Sequence, residues 1–257
     1  MEETDRPPAE STWRQPPAGL TLPQNELHVW RARLDLAAGP LAALTRLLSP
    51  EEATRANRFY QQRDREQFAA AHGLLRLLVG RYTGLPPAQI GFAAASGGKP
   101  RLVPGQSGRP LHFNLAHTRD LALFAFAREA EVGVDVERRR DDLPWRKLAE
   151  RFFAPAEYAS LLALPEEEGS AAFFALWVGK EAYVKALGEG LRMPLRAAQL
   201  RWSAGRQAQA RPEGAAGDWR VQLLAPGAGY SGAVAYTGEL HLRLWDAGEL
   251  PLALELN

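Results

Sequence analysis

The chain has 257 residues, 46% hydrophobic and 24% charged, and its 31 basic and 30 acidic side chains leave a net charge of +1. That length supports one large domain or two small ones with real hydrophobic cores, and the near-neutral balance argues against a protein built to coat nucleic acid. The absence of cysteine excludes thiolate zinc sites, disulfides and cysteine nucleophiles; no stretch forms a membrane span or the apolar core of a secretory signal, so a soluble cytoplasmic protein without nucleic-acid or membrane partners is expected.

Residues 1–20 are Pro-rich with scattered charge and read as a flexible tail. Glu26–Leu36 alternates as a first strand. In SPEEATRANRF, Ser49 as N-cap, Pro50 at the first helical position and Glu52 closing a capping box predict a helix. A longer helix follows through DREQFAAAHGLLRLLVGRYTG, with an apolar stripe at Phe68, Ala71, Leu75, Leu78, Val79 and Tyr82 and an end at Gly84. Short strands and turns come next, with GGKPRLVPGQSGRP as a loop. Leu121–Ala127 and Val132–Glu137 are strand-like and, separated by Arg128–Glu131, predict a hairpin. PAEYASLLAL predicts a helix closed by Pro165. SAAFFALWVGKEAYVKALG gives the strongest helical pattern, with Ser170 as its cap and Gly188 just past its end. From Ala198 onward AAQLRW, DWRVQLLA, SGAVAYT and LHLRLWD read as strands. The fold class is therefore α+β, with helices and strands in both halves but no sequence repeat.

Asp135 and Glu137 lie two apart in VGVDVE and project from one face of the predicted strand. They suit either a surface pair balanced by Arg138–Arg140 or a site for a hard divalent cation. With five scattered histidines and no cysteine, Mg²⁺ or Mn²⁺ fits better than zinc. Trp177, Glu181 and Lys185 follow one face of the strongest helix, and Glu181 with Lys185 alone reads as an ordinary surface ion pair. Lys180 falls in the row of Leu176, Tyr183 and Leu187, where an apolar residue is expected; its stem could snorkel, or its charge could serve a cleft. His117 in FNLAHT alone reads as a core or turn histidine. Lys99 follows Gly97 and Gly98 without the spacing of a P-loop. Arg63 and Arg65 open the long N-terminal helix, whose free amides favour anions, although arginines there are usually solvated. Taken together, these residues describe a place where clustered phosphates, a hard cation and a general base could meet.

The succession FNLAHT, GVDVE and FFALWVGKEAYVKALGEGL resembles the 4′-phosphopantetheinyl transferases of the Sfp type, with SPEEATRANRFY, the GGKP loop and RFFAPAEY in support, from Ser49 to Leu195. The resemblance implies two pseudo-twofold-related α/β lobes, residues 21–131 and residues 132–257, the second carrying the metal site. It implies a monomer that binds coenzyme A between the lobes. Such an enzyme moves the 4′-phosphopantetheine arm of coenzyme A to a serine hydroxyl of an apo acyl or peptidyl carrier protein. Adenosine 3′,5′-bisphosphate is released, and Mg²⁺, or Mn²⁺ in its place, is the metal. Carried over by motif, Asp135, Glu137 and Glu181 hold the metal, and Glu181 is also a candidate base for the serine. Lys185 faces the pyrophosphate and stabilises the leaving phosphate. Arg63, Lys99 and His117 bind phosphates or adenosine of coenzyme A, with Arg55 a weaker candidate. Departures from the pattern are Ala116 where a serine is common, Ala154 in place of a capping serine, and His72 where arginine is frequent; Thr118 keeps its hydroxyl. The competing readings are a metal-dependent phosphohydrolase of nucleotide pyrophosphates and a non-catalytic carrier-binding module.

Overall fold

A computed structural model describes residues 12–94, 98–203, 206–214 and 216–248. In chain order the elements are β1 (Glu26–Arg33), α1 (Ala38–Thr45), α2 (Pro50–Asn57), α3 (Gln62–Thr83), β2 (Phe92–Ala94), β3 (Pro100–Leu102), β4 (His112–Thr118), β5 (Leu121–Ala127), β6 (Val132–Arg138), α4 (Trp145–Phe152), α5 (Pro155–Leu162), α6 (Glu166–Leu187), β7 (Leu200–Ser203), β8 (Arg206–Pro212), β9 (Trp219–Leu224), β10 (Tyr230–Thr237) and β11 (His241–Asp246). One sheet has the order β11-β1-β5-β4 and a second the order β6-β10-β9-β8-β7. The mixed α+β class is as the sequence indicates.

Period-two alternation builds the layers. Along β5, Ala122, Phe124 and Phe126 join the core shared with α3, where Leu74, Leu75 and Leu78 sit. The intervening Leu121, Leu123, Ala125 and Ala127 meet Val132, Val134 and Val136 of β6 in a separate layer between the sheets. Ala233 and Ala235 of β10 face α6 through Val178, Ala182 and Ala186. The order of layers is therefore helix, sheet, sheet, helix, with a 22-residue helix on each outer face.

Local signals hold where they are local. Ser49 and Glu52 form the capping box of α2, and Gly84 and Gly188 close α3 and α6 in the left-handed region. Ser170 does not cap α6. The helix begins at Glu166, with Pro165 and not Ser170 at its N-cap, and Glu166 there takes hydrogen bonds from Arg146. A proline at the boundary and an acidic first turn start a helix as well as they stop the preceding one.

The expected hairpin of β5 with β6 is not formed. β5 pairs with β1 and β4, while β6 pairs with β10. The two strands share an apolar face, and stacking in two sheets buries that face where edge pairing would leave it open. Arg128 holds the crossover, its guanidinium donating to the carbonyls of Leu22, Tyr82 and Pro110.

The last strand also departs from the expected lobe limits: β11 leaves residues 132–257 to pair in parallel with β1. Its Leu242 and Leu244 extend the layer between the sheets. Of the expected tail, residues 1–11 lie outside the described residues. From Thr12 the chain runs beside this edge, Arg14 bridging Trp245 and the Trp13 indole donating to Ala225 O.

Candidate active site

On β6 the apolar valines turn inward between the sheets, so Gly133, Asp135 and Glu137 share the face toward α6. Gly133 sets how near the helix comes. A Cβ there would stand 2.1 Å from Ala182 O and 2.3 Å from Ala186 N, so only glycine admits this approach. Lys185, one residue before Ala186, then donates to Asp135 Oδ1 at 2.5 Å. Asp135 is only 4% exposed, and its Oδ2 is buried without a partner among the described residues.

The electrostatics are those of a concentrated negative site with one internal cation. Burial raises the pKa of Glu137, and the charge of Asp135 raises it further. Burial and Asp135 raise Glu181 in the same way. About a third of the Lys185 side chain reaches solvent, and its ammonium is paired with Asp135. Burial opposes its charge, but Asp135, Glu181 and Glu137 outweigh that and hold its pKa above the ordinary lysine value. The unpartnered oxygen and the hard donor set suit a divalent cation such as Mg²⁺. Among the described residues, however, no three His, Asp or Glu side chains converge as a ready-made metal cage.

The adjoining cleft comes from β4. Alternation sends His117 to the α3 side with Phe113 and Leu115, and Thr118 to the β6 side, where its hydroxyl makes a long 3.4 Å hydrogen bond to Glu137 Oε2. Asn114, also turned toward β6, accepts from the Val134 amide at 2.9 Å and joins the two sheets. A cavity of about 360 Å³ is lined by Arg63 and Asp64 at the start of α3, and by His117, Thr118 and Arg119. His117 is open on one side and walled on the other. Burial, then the charges of His72, Lys185 and Arg55, hold its pKa below the ordinary value. Arg55 itself lies over the Phe68 ring at 5.2 Å.

The structure thus brings Asp135, Glu137, Glu181 and Lys185 together on one side of β4, and Arg63 and His117 on the other, with Arg55 near. Lys99 is placed elsewhere. Its buried ammonium donates to Glu131 Oε2 at 2.8 Å and to Ala186 O at 3.0 Å, securing the end of α6. Gly97, read with it as part of a ligand loop, lies outside the described residues. Lys180 neither snorkels nor faces the cleft. It is fully buried, paired with Glu157 at 2.6 Å and donating to Leu195 O and Ala198 O. Glu157 also accepts the Ala154 amide, so α5 keeps half a capping box despite lacking the serine. Arg138–Arg140 are exposed.

Three residues escaped the sequence reading: Asn114, Gly133 and Arg119. Asn114 is a polar residue inside an apolar strand, and Gly133 interrupts a run of valines; each was a visible signal of a required contact. Arg119 had only a negative signal, the lack of glycine or asparagine in a tight turn.

Two sheets, each covered by a long helix, meet at a seam that holds acids and a lysine, with Arg63 and His117 lining a cavity beside it. Residues 131–235 match the 4′-phosphopantetheinyl transferase superfamily, and residues 37–129 match the N-terminal region of 4′-phosphopantetheinyl transferases. The chain is 42% identical to the 4′-phosphopantetheinyl transferase HetI of Nostoc sp. over 180 residues, 70% of this chain and 76% of HetI. It is 32% identical to Sfp of Bacillus subtilis over 148 residues, 58% of this chain and 63% of Sfp. It is 36% identical to psf-1 of Bacillus pumilus over 167 residues, 64% of this chain and 68% of that protein. The chain belongs to the 4′-phosphopantetheinyl transferase superfamily, and it is a transferase of the Sfp type. These matches favour transfer over the phosphohydrolase and non-catalytic readings. No helix among the described residues is long and apolar enough to cross a membrane.

Proposed function

We propose that this protein transfers the 4′-phosphopantetheine arm of coenzyme A to a serine hydroxyl of an apo acyl or peptidyl carrier protein, with Mg²⁺ as the metal. The observation that carries the reading is the buried Asp135–Lys185 pair, with one carboxylate oxygen left over, beside a cleft lined by Arg63 and His117. Asp135, Glu137 and Glu181 would hold the metal, which when bound neutralises charge on the pyrophosphate oxygens. The protein's own part is alignment and charge. Arg63 and His117 bind anionic groups of coenzyme A, while Lys185 offers its ammonium to the phosphate that departs. Glu181, whose affinity for a proton is raised, is the candidate to accept the serine proton. The serine oxygen bonds to the phosphorus bearing the pantetheine arm, the bridging P–O bond breaks, and its electron pair leaves with adenosine 3′,5′-bisphosphate. The chain acts as a monomer, since one chain supplies every residue named.

The test follows adenosine 3′,5′-bisphosphate from coenzyme A with and without an apo carrier, in Mg²⁺ and in chelator. Release that requires both carrier and Mg²⁺ is expected. Release of phosphopantetheine to water without any carrier would favour a phosphohydrolase instead.

A further inference from the structure

Between β4 and β5 the chain reverses through Arg119 and Asp120 alone, because Thr118 pairs directly with Leu121. A hairpin this tight takes a left-handed residue at its first corner, a position that favours glycine, asparagine or aspartate. Here the corner is Arg119 at φ 52°, the one non-glycine residue with positive φ among the described residues. A glycine would adopt this backbone freely, whereas a side chain strains it. Such strain tends to be kept where the side chain has work to do.

What Arg119 could do is set by its neighbours. It lines the same cavity as Arg63 and His117, and Asp64 is the one carboxylate on that wall. Its exposed guanidinium makes no hydrogen bond or ion pair among the described residues. Coenzyme A, the substrate in the reading above, carries two separate anionic groups: a pyrophosphate and a phosphate on the ribose. The reacting pyrophosphate belongs beside Lys185 and the carboxylates, on the β6 side of β4. The cationic cavity opens on the α3 side, one strand face away, and its size and charge suit the second anion. Arginine there offers a planar fork matched to phosphate oxygens.

We propose that Arg119 is a specificity-determining residue that binds the ribose 3′-phosphate, so that the protein distinguishes coenzyme A from 3′-dephospho-coenzyme A. The proposal rests on the transferase reading for the identity of the ligand, but binding alone tests it, with no carrier protein present. Calorimetric titration of the wild-type protein, Arg119→Gly and Arg119→Lys with each nucleotide, in Mg²⁺, is the experiment. The wild type should prefer coenzyme A. Arg119→Gly should weaken coenzyme A binding about tenfold or more, as for loss of a charge-assisted hydrogen bond, and leave 3′-dephospho-coenzyme A unchanged. Arg119→Lys should fall between, and the thermal midpoint of Arg119→Gly should not drop, because glycine suits the corner. Equal affinities in the wild type, or a loss in Arg119→Gly that is shared by both nucleotides or absent from both, overturns the proposal. A wild type that binds as expected yet modifies no carrier sinks the transferase reading and leaves Arg119 in its role.

Discussion

Asp135 and Lys185 share a hydrogen bond that cannot be removed from one side alone without leaving a charge stranded. Lys185→Met would strand a carboxylate that already has one unpartnered oxygen and is almost wholly buried. A loss of about 3 kcal/mol in urea unfolding is expected, together with a fall in kcat of about a hundredfold or more. Asp135→Asn keeps the shape and one acceptor for Lys185, so activity should collapse while most stability remains. An Asn variant that is active but unstable would assign Asp135 a structural role. The sequence showed that Asp135 and Glu137 share a face, because strand period is a local property. It could not show which cation would meet them: Glu181 with Lys185 looked like a surface ion pair, and Lys185 in fact reaches across to another element. Lys99 and Lys180 were opaque for the same reason. Each is committed to partners far along the chain, Glu131 and Ala186 for one, Glu157 and Ala198 for the other.

The element that positions the chemistry is α6, and its seat is Gly133. Gly133→Ala would drive a methyl group into the backbone at Ala182 and Ala186, which cannot move aside as a flexible side chain can. A destabilisation of about 2–4 kcal/mol is expected, with a larger proportional loss of turnover, because Lys185 moves away from Asp135 as the helix lifts. Wild-type turnover in this variant would show that the close approach does not position the site. Lys180→Met separates fold from chemistry. It leaves the Glu157 carboxylate without its cation and should cost about 3 kcal/mol, yet turnover per folded molecule should hold. Helix limits set by caps were readable from Ser49, Glu52, Gly84 and Gly188. Strand partners were not, because β5 and β6 carry the same apolar alternation whether they pair in one sheet or stack between two.

At the scale of the whole molecule, Glu131 joins parts far apart in sequence. It ends the crossover into the second sheet and takes hydrogen bonds from Lys99 and Arg101 while facing His112. Burial pushes its pKa up, but His112, Lys99 and Arg101 together hold it far below the ordinary carboxylate range. The folded state therefore releases this proton more readily than the unfolded chain. Its contribution is fully present above the unfolded value, near 4.5, and is lost as pH falls below that. Unfolding free energies measured between pH 7 and pH 3 should drop more steeply for the wild type than for Glu131→Gln; parallel slopes would contradict the clamp. The α+β class and the family were legible from motifs that are contiguous in sequence. The return of β11 to the first sheet was not, because parallel pairing with β1 joins the two ends of the chain. The most direct test of the account is the intact mass of an apo carrier protein after incubation with this protein, coenzyme A and Mg²⁺. A gain of one phosphopantetheine, absent with Asp135→Ala, is the predicted result; no gain across carriers from fatty-acid, polyketide and peptide synthesis would contradict it.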